Sequence, residues 1–344
     1  MATADVLATA PPALTLAQAE ALARATFGVE ATARPLVSER DQNFRLTDAH
    51  GEAWVLKVSN AAEDRGVVEM EVAAIEHIAA VDPELPVPIA RPALSGDPIG
   101  TASIGGATHL VRLLPLLPGR TADPRALTPA ELHEIGSVVA RIGAALREFR
   151  HPAAGRAISW DQQHLPALFG HADLIEPGAR RDLLDRVIDR FNANVLPAWP
   201  ALRTQVIHND VTLDNLLLGP SGGVTGIIDF GDMAHTARVL DIPATLQSLV
   251  RQREDILDVA AHFLAGYAAV QALEGPEAAL LGDLLAGRMA QTILISVVRT
   301  AQYPDNAYIH GWSEPAWELL EQMEAIGFDE AGRRLAVLAR GPQP

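Results

Sequence analysis

The sequence contains no cysteine, and its basic residues are clearly outnumbered by its acidic ones. Without cysteine the chain has no disulfide, no thiolate zinc ligand and no cysteine nucleophile, a composition that fits a reducing cytosol. Lys and Arg number 27 against 43 Asp and Glu, which gives a net charge of −16. Such a charge repels nucleic acids and anionic membrane surfaces, so we expect neither as a partner.

The sequence also lacks a charged N-terminal start and an uninterrupted apolar run. No Lys or Arg precedes Arg24, and the basic beginning of a secretory signal is therefore missing. The longest apolar stretch, 280–298, is interrupted by Asp283 and Arg288 before it reaches the length that spans a bilayer. We expect a buried helix there and a cytoplasmic protein.

The first third of the chain alternates β-type runs with turn signals. With 344 residues, 49% of them apolar, the chain can form one large domain or two lobes. A helix capped by Thr15 and ended by Gly28 precedes β-type runs at 31–38, 43–48 and 53–58, a helix at 66–80 and a further run at 108–114. We predict a small N-terminal lobe, residues 1–114, made of a sheet and one crossing helix.

The remaining two thirds of the chain have mainly helical periodicity. Pro115, Pro118 and Gly119 indicate a hinge. Long amphipathic stretches follow at 128–149, 178–195, 237–273, 276–303 and 314–340, the last with a break at Gly327. We predict a large helical C-terminal lobe, residues 115–344.

Two short polar motifs in the predicted C-terminal lobe contain the candidate catalytic and metal-binding residues. The segment VIHNDVTLDNLLL contains Asp210 and Asn215, and the segment IIDFGD contains Asp229 and Asp232. The separation of Asp210 and Asp229 (229 − 210 = 19) leaves room for one hairpin, with arms at 216–218 and 224–228, which brings both acids to the same end. Carboxylate and amide oxygens are hard ligands that suit Mg²⁺ beside phosphate.

These motifs resemble the catalytic segments of kinase-like phosphotransferases. Over roughly residues 30 to 325 the chain is similar to the aminoglycoside phosphotransferase superfamily, and most to its hydroxylysine-kinase-like branch. The segments that carry the resemblance are HNDVTLDN, GIIDFGDMAHTARVLDI, VRLLPLLPG and RTAQYPDNAYI. The resemblance implies an α+β, two-lobed protein-kinase-like fold. It also implies transfer of the γ-phosphate of ATP or GTP to a hydroxyl of a small polar acceptor: a hydroxylated amino acid, an amino alcohol or an antibiotic.

The resemblance assigns roles to individual residues. Asp210 orients the acceptor hydroxyl and accepts its proton, and Asn215 and Asp229 hold Mg²⁺. Lys57 binds the phosphates of the nucleotide and Glu71 orients Lys57, although Glu69 competes for that pairing. The base lies against the backbone of the hinge residues Arg112, Leu113 and Leu114. His208 and Asp241 are structural, and Asp241 accepts hydrogen bonds from the catalytic loop.

The loop SERDQNF departs from the protein-kinase pattern because it contains no glycine to cover the phosphates. Aminoglycoside-type enzymes resemble this chain in that respect. Ser38, Gln42 and Asn43 either supply hydrogen bonds to the nucleotide instead or form an ordinary turn.

The acceptor site is predicted from charge. Asp232, Asp214, Trp160 and Asp161 form one candidate group that faces a cation, although Asp232 and Asp214 can equally cap turns. Arg299 and Asn306 are candidates for binding a carboxylate or a carbonyl. We therefore expect an acceptor with at least one amine, while neutral nucleoside and sugar antibiotics stay open.

Other function classes fit the sequence less well. A protein kinase needs an activation loop, for which the segment between Asp229 and Asp241 leaves no room. A metal phosphohydrolase built on His208 and Asp210 lacks further histidine ligands. An antibiotic-resistance phosphotransferase acting on an aminoglycoside or nucleoside antibiotic remains an alternative, and a non-catalytic nucleotide-binding protein is a weaker one. The sequence leaves the nucleotide preference and the oligomeric state open.

Overall fold

The chain divides into two units, the first rich in strands and the second rich in helices. The computed structural model describes residues 9, 11–38, 40–302 and 313–341. The N-terminal unit ends at Pro118 and also contains Arg150–Ala157, and the other described residues form the C-terminal unit. The distribution of strands and helices confirms the predicted α+β class, whereas the lobe boundary at 114 and 115 stays a prediction.

The N-terminal unit is built on one antiparallel sheet. Its elements are α1 (Leu16–Phe27), β1 (Thr32–Leu36), β2 (Gln42–Thr47), β3 (Ala53–Val58), α2 (Arg65–Val81), β4 (Gly100–Ile104) and β5 (Ala107–Pro115). The strands lie in the order β1-β2-β3-β5-β4. Helix α1 begins at a capping box formed by Thr15 and Gln18, and it ends at Gly28, whose φ of 68° is readily adopted by glycine.

Asp48 makes the turn that joins β2 to β3. Its Oδ1 accepts hydrogen bonds from the N–H groups of His50 at 2.9 Å and Glu52 at 2.8 Å, as aspartate commonly does in turns. This turn agrees with the predicted alternation of β-type runs and turns. On its other side β3 pairs with β5, and this register places Lys57 directly opposite Arg112.

Helix α2 buries one apolar face in the N-terminal unit. Val68, Val72 and Ile75 are buried, as their spacing predicts, while Ala79 is only half-buried. The N-terminal end of the helix is capped by Asp64, whose Oδ1 accepts from the N–H of Gly66 at 2.7 Å.

The C-terminal unit consists mainly of helices around short strands. Its helices are α3 (Pro129–Ala145), α4 (Ala179–Arg190), α5 (Asp241–Leu249), α6 (Ile256–Val270), α7 (Gly275–Gln302), α8 (Ser313–Ile326) and α9 (Phe328–Ala339). Its strands are β6 (Thr204–Ile207), β7 (Leu216–Leu218), β8 (Val224–Ile227) and β9 (Ala234–Ala237). Strand β6 pairs with β9, and β7 pairs with β8. The predicted break at Gly327 is confirmed, since α8 ends and α9 begins beside it.

The prediction of one helical stretch over 237–273 is wrong. Helix α5 ends at Leu249, and Gln252 has a φ of 58°, a left-handed conformation that a continuous helix does not contain. Asp255 then caps α6 by accepting from the N–H groups of Leu257 and Asp258. The two helices have a combined apolar periodicity in the sequence, and the turn between them breaks it only locally.

Helices α3 and α6 approach each other at two glycines. A Cβ atom on Gly136 would lie 1.9 Å from the carbonyl O of Phe263, and one on Gly266 would lie 1.9 Å from that of His133. No other residue fits at this distance without separating the helices. The contact holds the long C-terminal helices in a fixed arrangement around the short strands.

Helix α7 is the central helix of the C-terminal unit. By length and composition it could cross a membrane, but 83% of its most apolar window is buried inside the protein. This burial is what a core helix shows, in agreement with the expectation from its interrupted apolar run.

Candidate active site

The loop between β6 and β7 carries Asp210 and Asn215. The Nδ2 group of Asn215 donates to Oδ2 of Asp210 at 2.8 Å and to the backbone carbonyl O of Asp210 at 2.9 Å. The loop is fixed to α5 because the N–H of Leu213 donates to Oγ of Ser248 at 2.8 Å. The amide oxygen of Asn215 is thus the atom of this side chain suited to a cation.

The β7–β8 hairpin brings Asp229 next to this loop. Leu216 pairs with Ile227, and the N–H of Ile228 donates to the carbonyl O of Asn215 at 3.0 Å. The predicted hairpin between the two motifs is confirmed. Asp229 follows with a φ of 61°, an uncommon conformation for a residue other than glycine, and its side chain is exposed.

The donor set at the end of this hairpin fits a magnesium ion. The Asp229 carboxylate and the Asn215 amide oxygen are hard ligands on adjacent backbone, and Mg²⁺ commonly takes its remaining ligands from water and phosphate. Between residues 9 and 302 and between 313 and 341, no group of three or more His, Asp or Glu side chains is arranged to hold a metal.

His208 connects the two motifs as a buried, neutral ring. Its Nε2 lies 3.2 Å from the carbonyl O of Ile228, and its Nδ1 accepts from the N–H of Asp210 at 3.3 Å. Burial lowers the pKa of His208, against the opposing effect of the Asp229 carboxylate. The ring packs 4.5 Å from that of Phe230. These contacts agree with the predicted structural role.

The environment of Asp210 is dense in charge. Burial raises the pKa of Asp210, and the carboxylates of Asp232 and Asp229 raise it further, whereas Arg288 and the Asn215 hydrogen bond lower it. Asp232 therefore belongs to the same group of carboxylates as Asp210 and Asp229. A site with this charge attracts cations.

Arg288 is the part of this site that the sequence reasoning missed. Its Nη2 lies 3.7 Å from Oδ1 of Asp210, and its side chain is only 5% exposed. In the sequence Arg288 stands out only as an interruption of an apolar run. A charged residue in the middle of a helix predicted to be buried is the signal that could have identified it.

Trp160 lies in this region, but Asp161 does not face a ligand. The ring of Trp160 stacks on the Arg288 guanidinium at 4.8 Å. Asp161 is buried, and its Oδ1 accepts from Oγ1 of Thr236 at 2.8 Å and from the N–H of Gln163 at 3.0 Å. The prediction that Asp161 faces a cationic acceptor is therefore corrected: its carboxylate caps the helical segment after it.

The remaining predicted acceptor residues are Asp214, Arg299 and Asn306. Asp214 pairs with Arg251 at 3.0 Å and its side chain is 68% exposed, so the structure places it in a surface ion pair. Arg299 lies half-buried in the last turn of α7. Asn306 lies outside the described residues, and its role stays a prediction.

In the N-terminal unit, Lys57 lies in a cluster of charges. Its Nζ is 3.3 Å from Oδ2 of Asp41, and Arg112 on the neighbouring strand contacts Oε2 of Glu71 through Nη1 at 2.5 Å. Glu69 pairs instead with Arg65 on the exposed side of α2. Glu71 is thus the glutamate on the Lys57 side of the helix, while its orienting role stays a prediction.

The base contacts of Arg112, Leu113 and Leu114 stay a prediction, and the structure shows how the backbone of these residues is bonded. The N–H of Ser59 donates to the carbonyl O of Leu110, and the N–H of Leu116 donates to that of Ala53. Because backbone groups alternate along an antiparallel strand, those of Arg112 and Leu114 also face β3. The carbonyl O of Leu113 accepts from the N–H of Arg91 at 2.8 Å. The backbone groups of Arg112 and Leu114 and the carbonyl O of Leu113 are therefore used in hydrogen bonds within the N-terminal unit.

One side chain of the glycine-free segment is used in hydrogen bonds within the N-terminal unit. The Gln42 side chain accepts from the N–H of Leu14 at 2.7 Å and donates to its carbonyl O at 3.0 Å, so it fastens the start of the chain instead of facing a nucleotide. Ser38 is half-buried, and Asn43 has a buried Oδ1 with no partner among the described residues. Their nucleotide contacts stay a prediction.

The chain is similar to known phosphotransferases in sequence and in fold. Residues 32–281 match the model of the phosphotransferase enzyme family. Hydroxylysine kinase of Mus musculus is 28% identical over 347 residues, which cover 93% of this chain and 92% of the relative. A microcompartment-associated aminopropanol kinase has a TM-score of 0.72 at 19% identity, covering 92% of this chain and 99% of that one. An amicoumacin kinase in complex with AMP-PNP and Ca²⁺ has a TM-score of 0.68 at 16% identity, covering 90% and 93%. The likeness to the solved structures confirms the kinase-like fold.

Proposed function

Because this chain belongs to the phosphotransferase enzyme family and is a small-molecule kinase, we propose that its acceptor is a small alcohol that carries an amine, such as a hydroxylated amino acid. The observation that carries this proposal is the place of Asp232 in the short turn directly after Asp229, where its charge raises the pKa of Asp210. Hydroxylysine and aminopropanol, named in two similar proteins, each combine an amine and a hydroxyl within a few bonds.

Asp210 is the residue we assign to the acceptor hydroxyl. Oδ2 of Asp210 is held by Asn215, so the other carboxylate oxygen is the one that can accept the hydroxyl proton as phosphate transfer proceeds. Phosphoryl transfer depends mainly on positioning and electrostatics, which a carboxylate fixed in this way supplies.

We assign one role toward the phosphate donor within each unit. Lys57 provides a positive charge for phosphate oxygens, and Asn215 and Asp229 would hold Mg²⁺. The ion supplies charge neutralisation of the phosphates when bound. We propose ATP or GTP as the phosphate donor, because the resemblance to related kinases allows either.

The ammonium group is assigned to Asp232. Its charge raises the pKa of Asp210, the residue that we assign to the acceptor hydroxyl, and it also acts on Arg288. Asp210 is assigned to the acceptor hydroxyl and Asp229 to the metal ion. We therefore assign a cationic substituent of the acceptor to Asp232. The net charge of −16 further favours a cationic acceptor over an anionic one and disfavours nucleic acid. A cytoplasmic location is the expectation that fits these substrates.

A screen for nucleoside diphosphate release tests the proposal. The panel contains amino alcohols, hydroxylated amino acids, aminoglycosides and nucleoside antibiotics, each with ATP and with GTP. N-acetylation of an accepted amino alcohol should lower kcat/KM by about 10- to 100-fold, the effect of one lost charge-assisted hydrogen bond. Asp232→Asn should lower kcat/KM for the free amine and leave the N-acetylated compound unaffected.

Two outcomes contradict this acceptor class. Equal kcat/KM for the amine and its N-acetylated form at low and high salt would remove the role of the ammonium group. Turnover only with an antibiotic would favour the antibiotic-resistance alternative, for which likeness to the amicoumacin kinase provides the fold alone. Nucleotide binding without any turnover would favour a non-catalytic protein.

A further inference from the structure

Arg288 is a buried cation inside the core helix of the C-terminal unit. Its side chain is 5% exposed, and it lies on α7 among the charges of Asp210, Asp232 and Asp241. Removing a guanidinium from water is costly unless its N–H groups are paired, so an arginine in this position has a specific set of partners.

Two of these partners hold the guanidinium in one orientation. Nε donates to Oε1 of Gln247 at 3.2 Å, and Nη1 donates to the carbonyl O of Trp160 at 3.0 Å. Gln247 is itself fixed, because its Nε2 donates to Oγ1 of Thr292 at 2.9 Å. The Trp160 ring covers one face of the guanidinium at 4.8 Å. The plane of the group is therefore set by α5, by α7 and by the segment that contains Trp160.

The remaining nitrogen of this fixed group points toward Asp210. Nη2 lies 3.7 Å from Oδ1 of Asp210, which is an ion-pair distance but too long for a hydrogen bond. Oδ2 of the same carboxylate accepts from Asn215 at 2.8 Å. The carboxylate is thus held by a hydrogen bond on one oxygen and by a positive charge near the other. A hydroxyl that binds to Oδ1 would do so beside the guanidinium.

We propose that Arg288 is a positioning residue for phosphate transfer, which holds the Asp210 carboxylate toward the acceptor hydroxyl and offsets the repulsion between Asp210 and Asp232. This inference rests on the proposed role of Asp210, but it does not depend on the identity of the acceptor. Lysine in place of Arg288 would keep the charge but could not contact Gln247, Trp160 and Asp210 at the same time, because its ammonium group lacks the planar fork. A positioning role therefore predicts that Arg288→Lys is also impaired.

The test compares Arg288→Ala, Arg288→Lys and Arg288→Gln with the wild type, using whichever acceptor the wild type phosphorylates. We expect kcat to fall by about 100-fold or more, the cost typical of a misplaced catalytic group. Nucleotide affinity should change little. Guanidinium ion, added below denaturing concentrations, should restore part of kcat in Arg288→Ala in a saturable manner, which a purely structural loss would not allow.

Arg190→Ala is the matched control. Arg190 is a half-buried arginine that also contacts α7, through Asp283 at 2.8 Å, and its partners are carboxylates to which no role in the reaction is assigned. It should keep kcat and show no response to guanidinium. Wild-type kcat in a folded Arg288→Ala or Arg288→Gln protein would overturn the proposal. If Arg288→Ala does not fold, wild-type kcat in Arg288→Lys would overturn it equally. A wild type that phosphorylates no alcohol would instead refute the proposed function.

Discussion

The backbone N–H of Asn209 donates a hydrogen bond of 2.7 Å to Oδ1 of Asp241. Asn209 has a φ of 66° and immediately precedes Asp210, so this contact stabilises the left-handed turn that presents Asp210. It also confirms the predicted structural role of Asp241. The carboxylate is buried at the start of α5, where its ionised form is costly.

A pH dependence of stability follows from Asp241. Burial raises the pKa of Asp241 to about 7 from 3.8. Between these values the native state keeps a proton that the unfolded chain has lost. Stability therefore decreases as pH rises through this range, by at most about 1.4 kcal/mol per pH unit, and becomes level above the folded-state pKa. Denaturant unfolding should show this slope in the wild type and a smaller one in Asp241→Asn. The same dependence of the unfolding free energy on pH in the wild type and in Asp241→Asn would contradict the assignment of this slope to Asp241.

Asp210→Asn should remove turnover while leaving the fold and nucleotide affinity nearly intact. The amide keeps the size of the side chain but cannot accept the hydroxyl proton, so we expect kcat to fall by about 10²- to 10⁴-fold. Steady-state kinetics and nucleotide titration measure the two effects separately. Asp258→Asn, an exposed carboxylate on α6, is the control and should behave as the wild type. Wild-type turnover in Asp210→Asn would refute the role of this carboxylate.

Asp229→Ala should weaken the binding of nucleotide only when Mg²⁺ is present. The carboxylate is assigned to the ion, so its loss should not affect metal-free nucleotide. Titration of nucleotide with Mg²⁺ and with a chelator distinguishes the two cases. An equal loss of affinity under both conditions would indicate that Asp229 supports the fold or the nucleotide directly.

Arg112→Met should destabilise the N-terminal unit. It removes the partner that Glu71 contacts at 2.5 Å and leaves a buried carboxylate with one contact fewer, which should lower the free energy of unfolding by about 1–3 kcal/mol. The double variant with Glu71→Gln should lose less than the sum of the single losses, because the two side chains act together. Strict additivity in a double-mutant cycle would contradict this coupling.

Gly136→Ala should destabilise the C-terminal unit through the close contact of α3 and α6. The added Cβ meets the carbonyl O of Phe263, so the helices must separate, at a cost of about 1–3 kcal/mol or more. Gly143→Ala is the matched control in the same helix, since nothing lies within 4 Å of its Cβ position. There alanine should stabilise the helix by about 0.5–1 kcal/mol. Equal effects of both substitutions on thermal unfolding would show that the contact is not tight.

Features of secondary structure that depend on residues close together in the sequence could be predicted, and others could not. The cap at Thr15 and the turn at Asp48 consist of hydrogen bonds between residues a few positions apart, so the sequence alone indicates both, whereas the reciprocal bond from Gln18 is seen only in the structure. The division of 237–273 at Gln252 could not be predicted, because one left-handed residue breaks a helix without changing its apolar periodicity.

The sequence by itself determined the family and the residues of the two polar motifs. Asp210, Asn215 and Asp229 are joined by one short hairpin, and a hairpin's register follows from its turn, so their spacing already brings them together. Only the tertiary structure decided which residues distant in the sequence contact each other. Arg288 and Trp160 are 128 positions apart. Arg112 and Glu71 are 41 apart. Such contacts depend on how helices and strands pack, a property that no local spacing encodes.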